Sequence, residues 1–181
     1  MTNSNALLQS IGAEPGATYT LTFDRLPESL AELKALPQAD LSRPWDTAAL
    51  TVAALCAYPK DREETYAMLD FLRGPRPLSP MEKQFIRDRF MDGKGYIPRS
   101  YFEGAVPGND YTPGQPLTLK LRVDPHGIAE ETYLAVYLNS GGADSPRAVR
   151  LRCKPSTGQW FLWEQYLLSG IRIPQSQDEW A

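Results

Sequence analysis

Two stretches decide the fold: LTLKLRV at residues 117–123 and VRLRCK at residues 149–154. Apolar and polar side chains alternate in both, a period of two that is typical of a strand with one buried face. Two further β-prone runs, residues 132–139 and 159–168, lie between and after them. Because turn-forming sequences separate all four runs, the C-terminal part predicts an antiparallel β-meander.

Upstream of the meander the period changes to that of helices. Residues 44–58 are apolar around almost the whole circumference, so we expect this helix to be central and buried on several sides. Helices at 61–73 and from Ser79 to Gly93 follow, each with a helix-start signal. A short strand at 18–23 and a short helix at 27–36 precede them. The predicted fold is α+β, with N-terminal helices packed on one face of a C-terminal antiparallel β-meander.

Length and composition favour one domain. The chain has 181 residues, with 19 Lys+Arg against 22 Asp+Glu and a formal net charge of −3. We expect a flexible N-terminal tail over 1–15 and a single α+β domain over 16–181. The acidic balance argues against a nucleic-acid partner. With no signal-peptide pattern, no apolar run long enough to span a membrane and two unpatterned cysteines, we expect a cytoplasmic protein without membrane contact.

Few side chains suit catalysis. His126, the single histidine, lies in a turn with Asp124; this pair is interpreted either as a general base with its orienting carboxylate or, preferably, as ordinary turn residues. Cys56 and Cys153 fall on apolar faces, so we interpret them as core residues. We therefore predict no catalytic residue, no metal ligand and no cofactor, and favour a protein that is not an enzyme.

Basic side chains follow the polar positions of two strands and define the main candidate surface. Lys120 and Arg122 alternate with apolar residues in one strand, and Arg150, Arg152 and Lys154 do so in another. The period of two sends them to the face away from the core. This face is either a site for an anionic ligand or acidic partner, or a solvated surface whose charges pair with Glu130, Glu131 or Glu164.

The register of the last hairpin decides which aromatic residues join that face. A four-residue loop at 155–158 places Arg152 opposite Phe161 and Arg150 opposite Trp163, within cation–π reach. A bulge shifts the register and brings Trp160 and Glu164 to that face instead. Both alternatives remain open from the sequence.

Two loops complete the candidate surface. Residues 140–147 are glycine-rich and end in Arg147, which suits an anion cradle or, more simply, a hairpin loop. The irregular segment 92–116 is rich in aromatics that serve either recognition or the filling of a gap between helices and sheet. The predicted binding surface comprises Tyr96, Arg99, Tyr101, Tyr111, Lys120, Arg122, Arg147, Arg150 and Arg152.

Three separated blocks resemble one family: LSPMEKQFIRDRFMDGKGYIPRSYF at 78–102, SGGADSPRAVRLRCKPSTGQWFLWEQYLLSGIR at 140–172, and DEWA at 178–181. This is an uncharacterised family, a domain of unknown function, of small cytoplasmic proteins from gut Firmicutes. The resemblance spans roughly residues 35–181. It implies a single-domain bacterial protein and no reaction. The order of elements also resembles cone-shaped folds of the nuclear-transport-factor-2-like kind, an analogy that does not settle function.

The function that these observations favour is non-catalytic binding through a surface of loop and sheet-face residues. The partner is an unidentified protein or a second copy of the chain, and an anionic small ligand is compatible with the same charges. The alternative is a small-molecule pocket, or a degenerate enzyme, between sheet and helices. A pocket requires a concave apolar cavity, whereas a partner surface requires a filled interior and an exposed aromatic–basic patch.

Overall fold

A computed structural model describes residues 3–128 and 132–181. One antiparallel sheet contains the strands β1 (Thr18–Phe23), β2 (Leu117–Val123), β3 (Tyr133–Leu138), β4 (Arg147–Lys154) and β5 (Gln159–Gln165), side by side in chain order. The α-helices are α1 (Asn3–Ser10), α2 (Leu30–Lys34), α3 (Pro44–Cys56), α4 (Arg62–Arg73) and α5 (Pro80–Phe90). The predicted α+β class is confirmed, with β1 as the one strand that precedes the main helices. No helix in these two ranges is long and apolar enough to cross a membrane.

Helix α3 is the centre of the molecule. Pro44 occupies its first turn, where a missing N–H costs no hydrogen bond. All of its residues from Pro44 to Leu55 are buried, and the helix contacts every strand of the sheet. An apolar surface all round a helix requires cover on all sides, and the sheet, α4 and the 3₁₀ turns Pro37–Asp40 and Pro98–Tyr101 provide it together.

The segment Leu41–Thr47 links the two edge strands. The backbone N–H of Trp160 in β5 donates to the Leu41 carbonyl (2.7 Å), and the Thr47 hydroxyl donates to the Trp160 carbonyl (2.7 Å). On the other edge, the Trp45 ring stacks on Tyr19 of β1, with 3.7 Å between ring centres. One face of the sheet is therefore covered by α3 and by the residues that lead into it.

Local start signals place the next two helices. The Asp61 carboxylate accepts from the Glu64 N–H ahead of α4, and Ser79 with Glu82 forms a reciprocal capping box ahead of α5. In α5, Ile86 and Phe90 face the core. Met81 and Phe85 of the same helix are exposed.

The irregular segment 92–116 is a strap built from three short 3₁₀ turns, Lys94–Tyr96, Pro98–Tyr101 and Pro107–Asn109. Its tyrosines point inward. The Tyr101 hydroxyl donates to the Leu167 carbonyl, and the Tyr111 hydroxyl donates to the Arg172 carbonyl. The strap is thereby attached to the segment that follows β5.

The predicted flexible tail, residues 1–15, contains helix α1. Leu8 within α1 and Ala13 after it are buried in the core. The flexibility of this tail stays a prediction.

Candidate functional site

The hairpin of β4 and β5 sets the geometry of the outer face. Arg152 lies opposite Phe161, as the four-residue loop predicts. A bulge follows between Leu151 and Arg150, so Arg150 lies opposite Glu164 and the prediction of Trp163 in that position is wrong. Trp163 is the extra residue of the bulge, a place where a strand commonly re-aims a side chain.

Trp160 stays on the inner face. Its side chain is fully buried, whereas Trp163 on the same strand is only half-buried. The prediction that a bulge brings both Trp160 and Glu164 to the outer face is therefore correct for Glu164 and wrong for Trp160.

The chain segment after α4 reaches the outer side of β5. Gly74 ends α4 with a φ of 61°, and a Cβ atom at this position would run into the Phe161 ring. Two residues later, the Arg76 guanidinium donates to the Trp163 carbonyl (2.7 Å) and lies 3.7 Å from the centre of the Trp163 ring. The close packing at Gly74 thus brings Arg76 onto the bulge.

A second arginine approaches the same indole. The Arg152 guanidinium lies 4.9 Å from the Trp163 ring centre and 5.2 Å from that of Tyr133 on β3. Tyr133 and Trp163 meet edge to face with ring centres 5.3 Å apart. Two guanidinium groups from distant parts of the sequence therefore converge on one ring.

The cations on this part of the outer face differ in whether a carboxylate lies beside them. Arg150 lies 3.5 Å from the Glu164 carboxylate. Among the described residues, Arg76, Arg152 and Lys154 have no carboxylate within 4.0 Å. The predicted partners Glu130 and Glu131 lie outside the described residues.

An open groove of about 340 Å³ runs along these side chains, and we call it the arginine–tryptophan groove. Within the described ranges its lining contains no acidic residue. The lining residues are Arg73, Pro75, Arg76, Arg152, Cys153, Lys154, Pro155, Phe161, Leu162 and Trp163.

Arg73 holds one wall of the groove in place. It is 6% exposed, its guanidinium contacts the Glu82 carboxylate at 2.8 Å, and it donates to the Arg76 carbonyl at 2.9 Å. Burial lowers the pKa of the Arg73 guanidinium, and the charge of Glu82 opposes that change. Arg73 is thus an internal support, and the free charge of the groove belongs to its neighbours.

Other arginines of the predicted surface serve the scaffold. Arg147 donates to the carbonyls of Ser145, Ser169 and Gly170. Arg99 donates to backbone carbonyls of the strap. Both guanidinium groups are occupied in holding loops.

Lys120 and Arg122 lie on the outer face, as predicted, but β3 separates them from β4. Arg122 stacks over Tyr137 at 5.4 Å, and Lys120 lies 3.9 Å from Glu103. They extend the basic face without lining the groove.

Three predicted surface residues, Tyr96, Tyr101 and Tyr111, are at most 4% exposed. Tyr96 and Tyr111 stack with ring centres 5.3 Å apart, and burial raises the pKa of all three hydroxyls. They fill the gap between strap and sheet, so we leave them out of the candidate site.

The remaining sequence candidates have structural partners. The Asp124 carboxylate accepts from the His126 backbone N–H (2.8 Å), which closes a turn. In the glycine-rich loop, the N–H groups of Gly141 and Gly142 donate to Ser100 and Ser140, so they are not directed at an anion. Both cysteines are free, and burial raises the pKa of the Cys56 thiol to about 12 and also raises that of Cys153.

A second groove, of about 210 Å³, lies between α5 and β5 beside Ile86 and Leu162. Its volume is below the roughly 300–1,000 Å³ of typical small-molecule sites. A larger open groove of about 520 Å³ lies between β1 and the start of α3, but its lining is mostly polar, whereas typical small-molecule sites are lined mainly by apolar side chains. One face of the sheet is covered by α3. The geometry therefore favours the outer groove over a pocket between sheet and helices.

Arg76 is the site residue that the sequence analysis missed. It lies between Pro75 and Pro77 in a loop, where no periodicity assigns a face. The glycine and the two prolines indicate where α4 ends, but they do not indicate which strand the loop packs on.

The fold and groove define a class: an α+β domain whose five-stranded antiparallel sheet packs one face on a central helix and presents a basic, aromatic outer face. The comparisons add the family. Residues 25–175 match the model of a domain of unknown function, DUF6935, and the chain belongs to this family. No curated protein and no solved structure matches the chain. The family membership names no activity, so the function is not established.

Proposed function

We propose that this protein is a non-catalytic binding protein whose arginine–tryptophan groove holds an acidic segment of a partner protein. We place it in the cytoplasm of a bacterium, as the resemblance to proteins of gut Firmicutes implies. The two free cysteines support a reducing compartment. The argument for the binding role comes from the groove itself.

The observation that carries this proposal is the convergence of Arg76 and Arg152 on the Trp163 ring, at 3.7 and 4.9 Å. Like charges held close together repel, and the indole face stabilises each of them only in part. A carboxylate that binds beside the ring accepts charge-assisted hydrogen bonds from these guanidinium groups and offsets their positive charge. The positive charge of the groove is thus complementary to an anion. Among the described residues, the lining of the groove provides no carboxylate of its own.

The chemistry favours protein carboxylates over a nucleic acid. The chain carries a net charge of −3, and a polyanion would be repelled by the molecule as a whole while it approached a few local cations. Arg76 and Arg152 are exposed beside aromatic rings, and arginine and aromatic side chains are enriched among the binding hot spots of protein interfaces. A short acidic peptide therefore fits the groove better than a phosphate backbone.

Isothermal titration calorimetry with hexaglutamate as the probe tests this proposal, with hexalysine as the charge control. We expect saturable binding of hexaglutamate that weakens as salt is added, because exposed charges are screened. The double variant Arg76→Glu and Arg152→Glu should lose at least about tenfold in affinity, in line with a hot-spot charge pair. Binding of both peptides, or of neither, would contradict the proposal.

The matched control is the double variant Arg87→Glu and Lys94→Glu. Both residues are exposed and lie outside the groove, so this variant makes the same change in net charge. It should bind hexaglutamate almost as the unmodified protein does. An equal loss in both double variants would show that net charge, and not the groove, governs binding.

A further inference from the structure

We infer that the acidic segment is Asp178–Trp180 of a second copy of the chain, which docks into the arginine–tryptophan groove head to tail. This inference rests on the proposed function and names its partner. The occupant is suggested by the chain's own surface, where an acidic and aromatic segment complements the basic and aromatic groove.

Trp180 is the first observation. Its side chain is 94% exposed, more than any other large apolar side chain among the described residues. Trp45 and Trp160 are buried, and Trp163 is half-buried in the groove. An indole is a large apolar surface with one polar group, and such side chains are enriched at interfaces because burial removes that surface from water.

Charge is the second observation. Asp178 and Glu179 immediately precede Trp180, and within residues 172–181 the cation Arg172 is held at 3.1 Å by Asp144. The groove presents Arg76, Arg152 and Lys154 with no acidic residue among its described lining. The segment therefore carries the negative charge that the groove lacks, together with a ring that can pack on the aromatic side chains of the groove.

The groove also has the dimensions for an indole. Its volume is about 340 Å³, and the Phe161 and Trp163 rings provide apolar walls. Aromatic rings in such a site stack or meet edge to face. In this arrangement Trp180 contacts the rings, while the carboxylates beside it meet Arg76 and Arg152.

The segment and the groove lie on different parts of one molecule. The turn Gln175–Gln177 packs on the strap turn Pro107–Asn109, and the Ser176 N–H donates to the Asp110 carboxylate (3.2 Å). The groove is built from the end of α4 with β4 and β5, and shares no lining residue with that region. A contact between two unlike patches is heterologous, so it propagates from copy to copy into short chains or a ring.

The contact is small, because one indole and two carboxylates form its centre. Interfaces below the standard size are weak and transient. We therefore expect reversible self-association that grows with concentration and weakens with salt.

Sedimentation velocity from about 10 µM to about 1 mM, the range of weak interfaces, tests the inference. The unmodified protein should sediment faster as its concentration rises. The variants Trp180→Ala and Arg76→Glu with Arg152→Glu should each remain monomeric throughout. A monomer at every concentration, or self-association that survives both variants, would overturn the inference.

Mixing the two defective variants gives the sharpest test. The Trp180→Ala variant keeps its groove, and the double-arginine variant keeps its segment, so together they should form a one-to-one heterodimer that cannot extend further. A symmetric contact built from the same patch on both copies would not be restored in this way. Absence of the heterodimer while the unmodified protein associates would contradict head-to-tail docking.

A peptide of residues 174–181 separates this inference from the proposed function. It should bind the Trp180→Ala protein, and the same peptide with alanine in place of Trp180 should bind at least about tenfold more weakly, as loss of a hot-spot aromatic implies. If hexaglutamate binds and this peptide does not, self-docking is wrong and the proposed function stands. If neither binds, both are wrong.

Discussion

Trp160 and Trp163 stand three residues apart in β5, yet they belong to two different environments. Trp160 is fully buried beside α3, and the carbonyl and N–H of its backbone bond to the segment that precedes that helix. Trp163 lies at the bulge on the outer face, half-buried, with the Arg76 and Arg152 guanidinium groups 3.7 and 4.9 Å from its ring centre. One strand thus supplies the core with one indole and the candidate site with the other.

The difference shows how a sheet separates stability from recognition. The inner face is filled by α3, so substitutions there change packing and the free energy of unfolding. The outer face keeps its charges near water, where single substitutions change stability little. Each prediction below tests one side of this division.

The largest effect is expected for Trp160→Ala. Removing a buried indole leaves a cavity beside α3, and we expect a loss of about 3–5 kcal/mol in the free energy of unfolding. Urea denaturation followed by circular dichroism measures it. A loss below about 1 kcal/mol would place Trp160 outside the core and undo the comparison.

Substitution of Asp46, in the first turn of α3, is expected to raise the free energy of unfolding rather than lower it. It is 8% exposed, and burial raises its pKa to about 6 from 3.8, while the charge of Arg43 opposes that change. A carboxyl whose pKa is raised on folding destabilises the folded state once it ionises. The cost is absent below pH 3.8, grows up to about pH 6 and is complete above it.

The variant Asp46→Asn removes this ionisation. We expect it to stabilise the protein by about 1–3 kcal/mol at pH 7 and by almost nothing near pH 3. Thermal unfolding of both proteins across that pH range measures the difference. A stability difference that does not vary with pH would show that Asp46 is not ionising in a buried site.

Trp163→Ala makes the same substitution on the outer face that Trp160→Ala makes on the inner face. Because the side chain is only half-buried, we expect a stability loss of about 1 kcal/mol, the size usual for single substitutions. Binding of hexaglutamate should fall strongly, since Arg76 and Arg152 lose the ring that positions them. Calorimetry and urea denaturation on the same preparation separate the two quantities. Equal losses of stability in the two tryptophan variants would erase the distinction between the faces.

The smallest stability effect is expected for the double charge reversal Arg150→Glu and Arg152→Glu. Among the described residues, the only ion pair that these two arginines form is the partly exposed contact of Arg150 with Glu164. Such pairs contribute about 0–1 kcal/mol to stability. Folding should remain nearly intact while binding of the acidic probe is lost. A large drop in melting temperature would assign these arginines to the scaffold.

Much of the fold could be predicted because its signals are local. The strand at 18–23 and the capping box at Ser79 follow from period and helix-start chemistry, and the structure has both. The buried strap tyrosines were open to two interpretations, because a segment without a period assigns no face to its side chains. Burial by elements distant in sequence decides between them.

The site was harder to predict for the same reason. Arg152 is visible from the alternation of β4, but its meeting with Arg76 depends on a bulge and on the close approach of Gly74 to Phe161. Neither feature has a signature in the spacing of residues. The sequence therefore predicts a basic face and not the groove within it.

One titration tests the division of the two faces most directly. The chain has four tryptophans, so their indole N–H signals can be followed together by proton–nitrogen NMR while hexaglutamate is added. We predict that the Trp163 signal moves saturably and the Trp160 signal stays in place. Signals that both remain still, or that both move together, would contradict the account.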